Sequence, residues 1–134
     1  MRVVFDTNIF ISAFAIPGGN AEEVHLRAIR GTFELITAVA ILTDTVETLQ
    51  AKFDWSDDKA KLLVKTISRT ATVLKTRPRL HVLQDERDNR ILECAMAAQA
   101  AYLVTGNPRL LALQRYKNTL LLPLAEFLAL LRKA

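Results

Sequence analysis

Short apolar runs alternate along this chain with longer segments whose apolar positions recur at helical spacing. Arg2-Val-Val-Phe5 is a β-branched run that ends at Asp6-Thr-Asn, the pattern of a strand leaving for a helix. Ile9, Phe10, Ala13 and Phe14 carry the stripe of that helix, which Asp6, Thr7 or Asn8 can cap. Pro17-Gly-Gly-Asn20 is loop punctuation, and Asn20 is placed to cap a second helix from Ala21 to Arg30, stopped by Gly31. Phe33–Thr37 predicts a second strand, followed by a helix with Ile41, Leu42, Thr45, Val46 and Leu49 in phase. Ser56-Asp-Asp caps and charges the start of another helix, with Leu62, Leu63 and Ile67 on its apolar side.

The stretch from Ala71 to Leu83 accommodates a strand at Thr72–Leu74, one at Leu80–Leu83, or both, with Pro78 between them. Asp88 reads as the cap of a helix whose Ile91, Leu92, Ala95 and Ala98 to Ala101 lead into a strand, Tyr102–Thr105, closed by Gly106-Asn-Pro108. A short helix with Leu110, Leu111 and Leu113, a strand at Thr119–Leu122 and a closing helix opened by Pro123 complete the series. Strands alternate with helices and no repeat intervenes. The expected architecture is therefore α/β: a central parallel sheet of four to five strands with helices on both faces, in one domain over residues 1–134.

Composition agrees and narrows the setting. A chain of 134 residues, 51% hydrophobic, can build one core, and 24% charge with four Gly and four Pro does not describe a disordered or collagen-like polymer. The longest greasy stretch, Leu120–Leu131, is broken by Pro123 and Glu126 and falls short of the roughly 20 residues that span a bilayer. Cys94 is the only cysteine and no apolar run of the signal-peptide kind follows Met1–Asp6, so a cytoplasmic protein without membrane attachment is expected. The net charge of +4 is compatible with a polyanionic partner. Its distribution says more: residues 1–60 carry five bases and nine acids, whereas residues 61–134 carry thirteen bases and five acids. An acidic site beside a basic surface would produce this asymmetry.

In an open parallel sheet, sites form beyond the carboxyl ends of strands. Asp6 leaves the first strand, Asp44 lies early on the helix after the second, Asp88 begins the helix before the Tyr102–Thr105 strand, and Asn107 follows that strand. Four oxygen donors from separate segments suit a hard divalent cation, whereas His25 and His81 are too isolated for a zinc site. Each position also has a plainer reading. Asp6 and Asp88 fit helix caps, Asp44 a solvated helix acid, and Asn107-Pro108 an ordinary turn and helix entry.

Three blocks add a resemblance. Val3-Val-Phe-Asp-Thr-Asn-Ile-Phe10, Asp85-Glu-Arg-Asp-Asn-Arg-Ile-Leu-Glu-Cys-Ala95 and Ala101-Tyr-Leu-Val-Thr-Gly-Asn-Pro-Arg-Leu-Leu111 resemble the signature blocks of PIN-domain proteins. The branch they look most like is the VapC-like toxin component of prokaryotic toxin–antitoxin systems, and Leu121-Leu-Pro-Leu-Ala-Glu-Phe-Leu128 resembles its C-terminal strand-to-helix segment. The resemblance implies a three-layer α/β/α domain and, in active members, an endoribonuclease dependent on Mg²⁺ or Mn²⁺, paired with a cognate antitoxin protein. Asp6 matches the family's first acid and Asp88 its third. The second falls on Asp44, where the family has Glu; Glu47, three residues on and on nearly the same helical face, is the alternative acid. At Asn107 the family usually has Asp, and an amide oxygen can still coordinate a metal but carries no charge and is no base.

On that reading Asp6, Asp44 and Asp88 are catalytic and, with Asn107, bind the metal that activates water for phosphodiester hydrolysis. Thr7, Asn8 and Thr105 would orient these ligands, and Arg87, Arg90 and Arg109, with Lys75, Arg77 and Arg79, would hold the RNA backbone. An ordinary solvated surface is the plain alternative for each of these cations. A second function class is a catalytically weakened PIN domain that binds RNA or a protein without chemistry. A phosphoacceptor domain would need an acidic pair after the first strand and a lysine after the last, where this chain has Asp6 alone and Pro123. Apolar positions on more than one side of the closing helix predict a homodimer or capture of an antitoxin helix, with core burial as the competing explanation.

Overall fold

The computed structural model describes residues 1–133; Ala134, the last residue of the expected domain, lies outside them. The elements follow as β1 (Arg2–Phe5), α1 (Thr7–Ala15), α2 (Asn20–Ile29), β2 (Glu34–Ala38), α3 (Val39–Phe53), α4 (Asp57–Thr70), β3 (Thr72–Leu74), α5 (Glu86–Ala98), β4 (Tyr102–Val104), α6 (Pro108–Leu111), β5 (Arg115–Tyr116), β6 (Thr119–Leu122) and α7 (Leu124–Lys133). The strands lie in the order β3-β2-β1-β4-β6-β5. The first five in that order pair in parallel, as the alternation of strands and helices predicts. A two-residue β5 adds an antiparallel edge, turned back onto β6 through Lys117 at φ 52°, and is too short to leave a periodic trace in the sequence.

Val3, Val4 and Phe5 are all buried in succession, as are Leu35, Ile36 and Thr37, so both faces of the sheet are covered. On one side Phe5 packs on Phe10 and edge-on to Phe33, and Phe127 of α7 meets Phe33 and Tyr102. Phe127, Leu128 and Leu131 are spent in this core, which leaves Leu130 exposed on α7. No helix of the described residues is long and apolar enough to cross a membrane.

Several local expectations change. Ser56 caps α4 as its sequence suggests, accepting from the Lys59 amide at 3.1 Å. Asn20 does not cap α2; it is the first helical residue, and Gly19 holds the N-cap position. Asp88 does not cap α5 either: Asp85 does, its Oδ1 accepting from the Arg87 amide at 2.9 Å, which places Asp88 inside the first turn. Of the two strands considered between Ala71 and Leu83, Thr72–Leu74 is real and Leu80–Leu83 is not. Side chains of α5 satisfy that segment's backbone instead. Glu93 Oε2 accepts from the amides of Arg79 and Leu80, and Asn89 exchanges two bonds with Leu83, at 2.9 Å to its amide and 2.8 Å to its carbonyl.

The chain moves outward from β1 through β2 to β3, then returns across α5 to place β4 on the other side of β1. The order therefore reverses between β1 and β4. Their carboxyl ends flank the crevice where such sheets gather polar groups.

Candidate functional site

Asp6 and Thr105 each stand one residue beyond these two neighbouring strands, and the Asp6 amide extends the ladder by donating to Val104 O at 2.9 Å. The shared register brings their side chains together: Thr105 Oγ1 donates to Asp6 Oδ2 at 2.6 Å and accepts from the Asn107 amide at 3.0 Å. Asp6 occupies the N-cap position of α1, yet its carboxylate makes no capping hydrogen bond. Burial raises its pKa above the ordinary carboxylate value; the Thr105 hydroxyl and the amides of Asn8 and Thr7 oppose that rise, and the charge of Asp88 adds to it.

Asp88 is buried like Asp6, and both of its oxygens are engaged. Asn107 Nδ2 donates to Oδ1 at 2.9 Å and Arg109 Nε to Oδ2 at 2.8 Å. Asn107 Oδ1 accepts from the Arg109 amide at 2.9 Å and so caps α6. The side chain cannot be turned over without setting two donors against each other, which fixes its nitrogen toward Asp88. As it stands, Asn107 offers the cleft a donor, and its oxygen serves the helix.

The rim is also made of matched charges. Arg109 Nη2 lies 3.6 Å from Asp85 Oδ2, and Arg87 approaches Asp44 at 3.8 Å and Asp85 at 3.9 Å. Exposed pairs at these distances contribute little stability, whereas the Arg109 contact neutralises a buried acid, and Asp88 in turn raises the pKa of the guanidinium. Asp6, Asp44, Asp85 and Asp88 thus line one cleft of about 150 Å³ with Thr7, Asn8, Asn107, Arg87 and Arg109. Two expected residues lie elsewhere. Glu47 is exposed and lines an apolar groove with Val39, Leu42 and Val64. Arg90 turns to Glu93, 2.9 Å away, and to the Leu80 carbonyl at 3.2 Å, supporting the segment that precedes α5.

Asp85, Thr48 and Lys52 also line the cleft, beyond the residues expected there. Thr48 and Lys52 follow Asp44 by four and eight positions on α3, a spacing that puts them on its face; Asp85 was visible only as a helix-start acid.

Among the described residues, no three acidic, histidine or cysteine side chains stand close enough to hold a metal ion between them. The donor chemistry nevertheless fits a hard cation. Two buried carboxylates adjoin, one with a raised pKa, and the buried Thr7 hydroxyl in the same cleft has no hydrogen-bond partner. Asp6 and Asp88 would be the inner ligands and Asp44 the donor at the rim.

A mostly parallel α/β sheet with an acidic cleft at its reversal point defines the class of this protein. A model of the PIN domain matches residues 2–109, and the chain belongs to that family. Its fold is shared by a chain in the crystal structure of VapBC2 from Rickettsia felis bound to a DNA fragment from their promoter. The TM-score is 0.63 at 15% identity, over 92% of this chain and 98% of that one. A search of curated proteins finds no match.

Proposed function

We propose that this protein is a divalent-metal-dependent endoribonuclease and the toxin component of a type II toxin–antitoxin pair. The observation that carries the reading is that buried Asp6, at the carboxyl end of β1, and buried Asp88, in the first turn of α5, line one cleft in a PIN domain. Mg²⁺ or Mn²⁺ held by Asp6, Asp88 and Asp44 would acidify a water molecule and neutralise charge on the scissile phosphate. The chain's own groups do the positioning. Thr105 fixes the Asp6 carboxylate through its 2.6 Å hydrogen bond, and Asn107 does the same for Asp88. Arg87 and Arg109, both exposed at the rim, are placed to leave their carboxylate partners for a phosphate as RNA enters.

An antitoxin protein is the proposed partner, on the strength of the fold shared with a chain of the VapBC2 complex. A homodimer in the cytoplasm is the proposed state of the free protein. The experiment is incubation of purified protein with a panel of single-stranded and structured RNAs in Mn²⁺. Cleavage abolished by EDTA and by Asp6→Asn supports the reading; no metal-dependent cleavage of any RNA overturns it.

One observation favours a second reading, a PIN domain that binds RNA or protein without cleaving. The usual fourth acid is Asn107, and Arg109 already neutralises Asp88 from within the chain. RNA binding that persists unchanged in EDTA, with no cleavage, supports this second reading.

A further inference from the structure

On the flank of α5, away from the acidic cleft, lies a groove of about 630 Å³. Lys75, Arg77 and Arg79 line it from the segment after β3, and Lys117 from the turn between β5 and β6. All four side chains are exposed, and among the described residues none is ion-paired with a carboxylate, unlike Arg87, Arg90 and Arg109. The one acid in the groove, Glu93, is buried and occupied by the amides of Arg79 and Leu80 and by Arg90. Its charge is therefore spent on holding the segment in place and does not offset the cations. Leu74, Met96 and Ala97 give the groove an apolar floor.

We propose that this groove binds the sugar-phosphate backbone of single-stranded RNA; taking RNA as the polymer rests on the ribonuclease reading above. Lys75, Arg77 and Arg79 sit at every second position of an irregular segment and all line the same groove, so they form a row. In extended chain that spacing is about 7 Å, comparable with the separation of successive phosphates along a nucleic-acid strand. The apolar floor suits unpaired bases, which a duplex would keep to itself. Among the described residues no aromatic side chain lines the groove, so stacking contributes nothing and binding is electrostatic and tolerant of sequence. Met96 lies eight residues along α5 from Asp88, about 12 Å, so a strand held here passes within a few nucleotides of the acidic cleft.

Four phosphate contacts on a single strand contribute about −2.8 to the slope of log affinity against log salt. The test is fluorescence anisotropy of a labelled oligouridylate with the full chain in EDTA, where no cleavage intervenes. Lys75→Gln/Arg77→Gln/Arg79→Gln should weaken binding at least tenfold and make the slope shallower by about 2.1, while Lys75→Arg/Arg77→Lys should retain both affinity and slope. Wild-type affinity and slope in the triple variant, with its circular dichroism unchanged, overturn the proposal. So does displacement of the oligouridylate by a polyglutamate peptide at equal charge concentration, which would assign the groove to acidic protein. Asp6→Asn should bind like wild type here. If wild type cleaves no RNA in Mn²⁺, the ribonuclease reading falls while the groove measurement stands by itself.

Discussion

The two ends of α5 handle charge in opposite ways. At its amino end four carboxylates share one small cleft with two guanidiniums that pair with three of them, and the buried acids are each tied by a hydrogen bond from the segment after β4. Along its flank the cations of the 75–80 segment and Lys117 stand unmatched, and the one carboxylate there is consumed by backbone amides. Partial matching leaves the cleft with more acids than bases, and its internal ion pairs are what an external cation or phosphate must disturb. The lack of matching in the groove leaves a standing field for a polyanion. The lopsided distribution of acids and bases along the chain thus becomes two neighbouring surfaces with different charge balance.

The sharpest way to break this division is to cross the two functions. Asp6→Asn should reduce RNA cleavage by at least about 100-fold while leaving oligouridylate binding in EDTA unchanged. The same variant should not lose thermal stability. Burial raises the Asp6 pKa, so its ionised form opposes folding: relative stability is present below the unfolded value of 3.8 and is lost as pH rises through the folded one. Asparagine keeps the shape without the charge. A fall in both cleavage and stability at neutral pH would show that Asp6 is a structural residue and not a working one.

Next in size is the effect of restoring the missing acid. Asn107→Asp keeps the oxygen that caps α6, removes the amide donor from Asp88 and adds a charge beside it. Calorimetric titration with Mn²⁺ should show roughly tenfold tighter binding, and Arg109→Ala should move affinity the same way by removing the internal cation. Unchanged affinity in both variants would mean that the cleft's matched charges do not compete with a metal. Smaller still on ligand binding is the effect of Glu93→Gln, which weakens the acceptor for two amides. It should cost about 1–3 kcal/mol in urea denaturation and weaken oligouridylate binding several-fold, because the row of cations loses its anchor. Full stability with unchanged binding would show that Glu93 does not anchor the row of cations.

How much of this division was legible follows from distance along the chain. The parallel core was readable because Val3–Phe5, Leu35–Thr37 and Leu103–Thr105 are buried runs bounded by helix signals. The placing of Asp6 and Asp88 near each other followed from where strands end in an α/β order. What stayed hidden depends on side chains meeting across elements. Asn107 reads as a weakened ligand until its oxygen is seen capping α6 and its nitrogen facing Asp88. Arg90 and Arg87 look alike in sequence, three residues apart, yet one is drawn under a loop by Glu93 and the other stays at the cleft. The Leu80–Leu83 segment has strand-like composition, but Glu93 and Asn89 take the hydrogen bonds a neighbouring strand would have supplied. No periodicity announces that substitution.

The smallest expected effect comes from a residue in neither region, and it sets the pH window in which the two can be compared. His25 on α2 is buried against Phe14, with ring centroids 5.1 Å apart, and its Nε2 has no hydrogen-bond partner among the described residues. Burial lowers its pKa from 6.5, so the unfolded chain takes up a proton before the folded one as pH falls. Stability is therefore undiminished above 6.5 and declines as pH drops from there toward the folded value. His25→Leu should remove this decline, so that urea midpoints of wild type fall faster than those of the variant below pH 6.5. Parallel curves would clear His25 of the effect. Metal and RNA titrations run above that window then report the cleft and the groove, free of the proton uptake that His25 couples to unfolding.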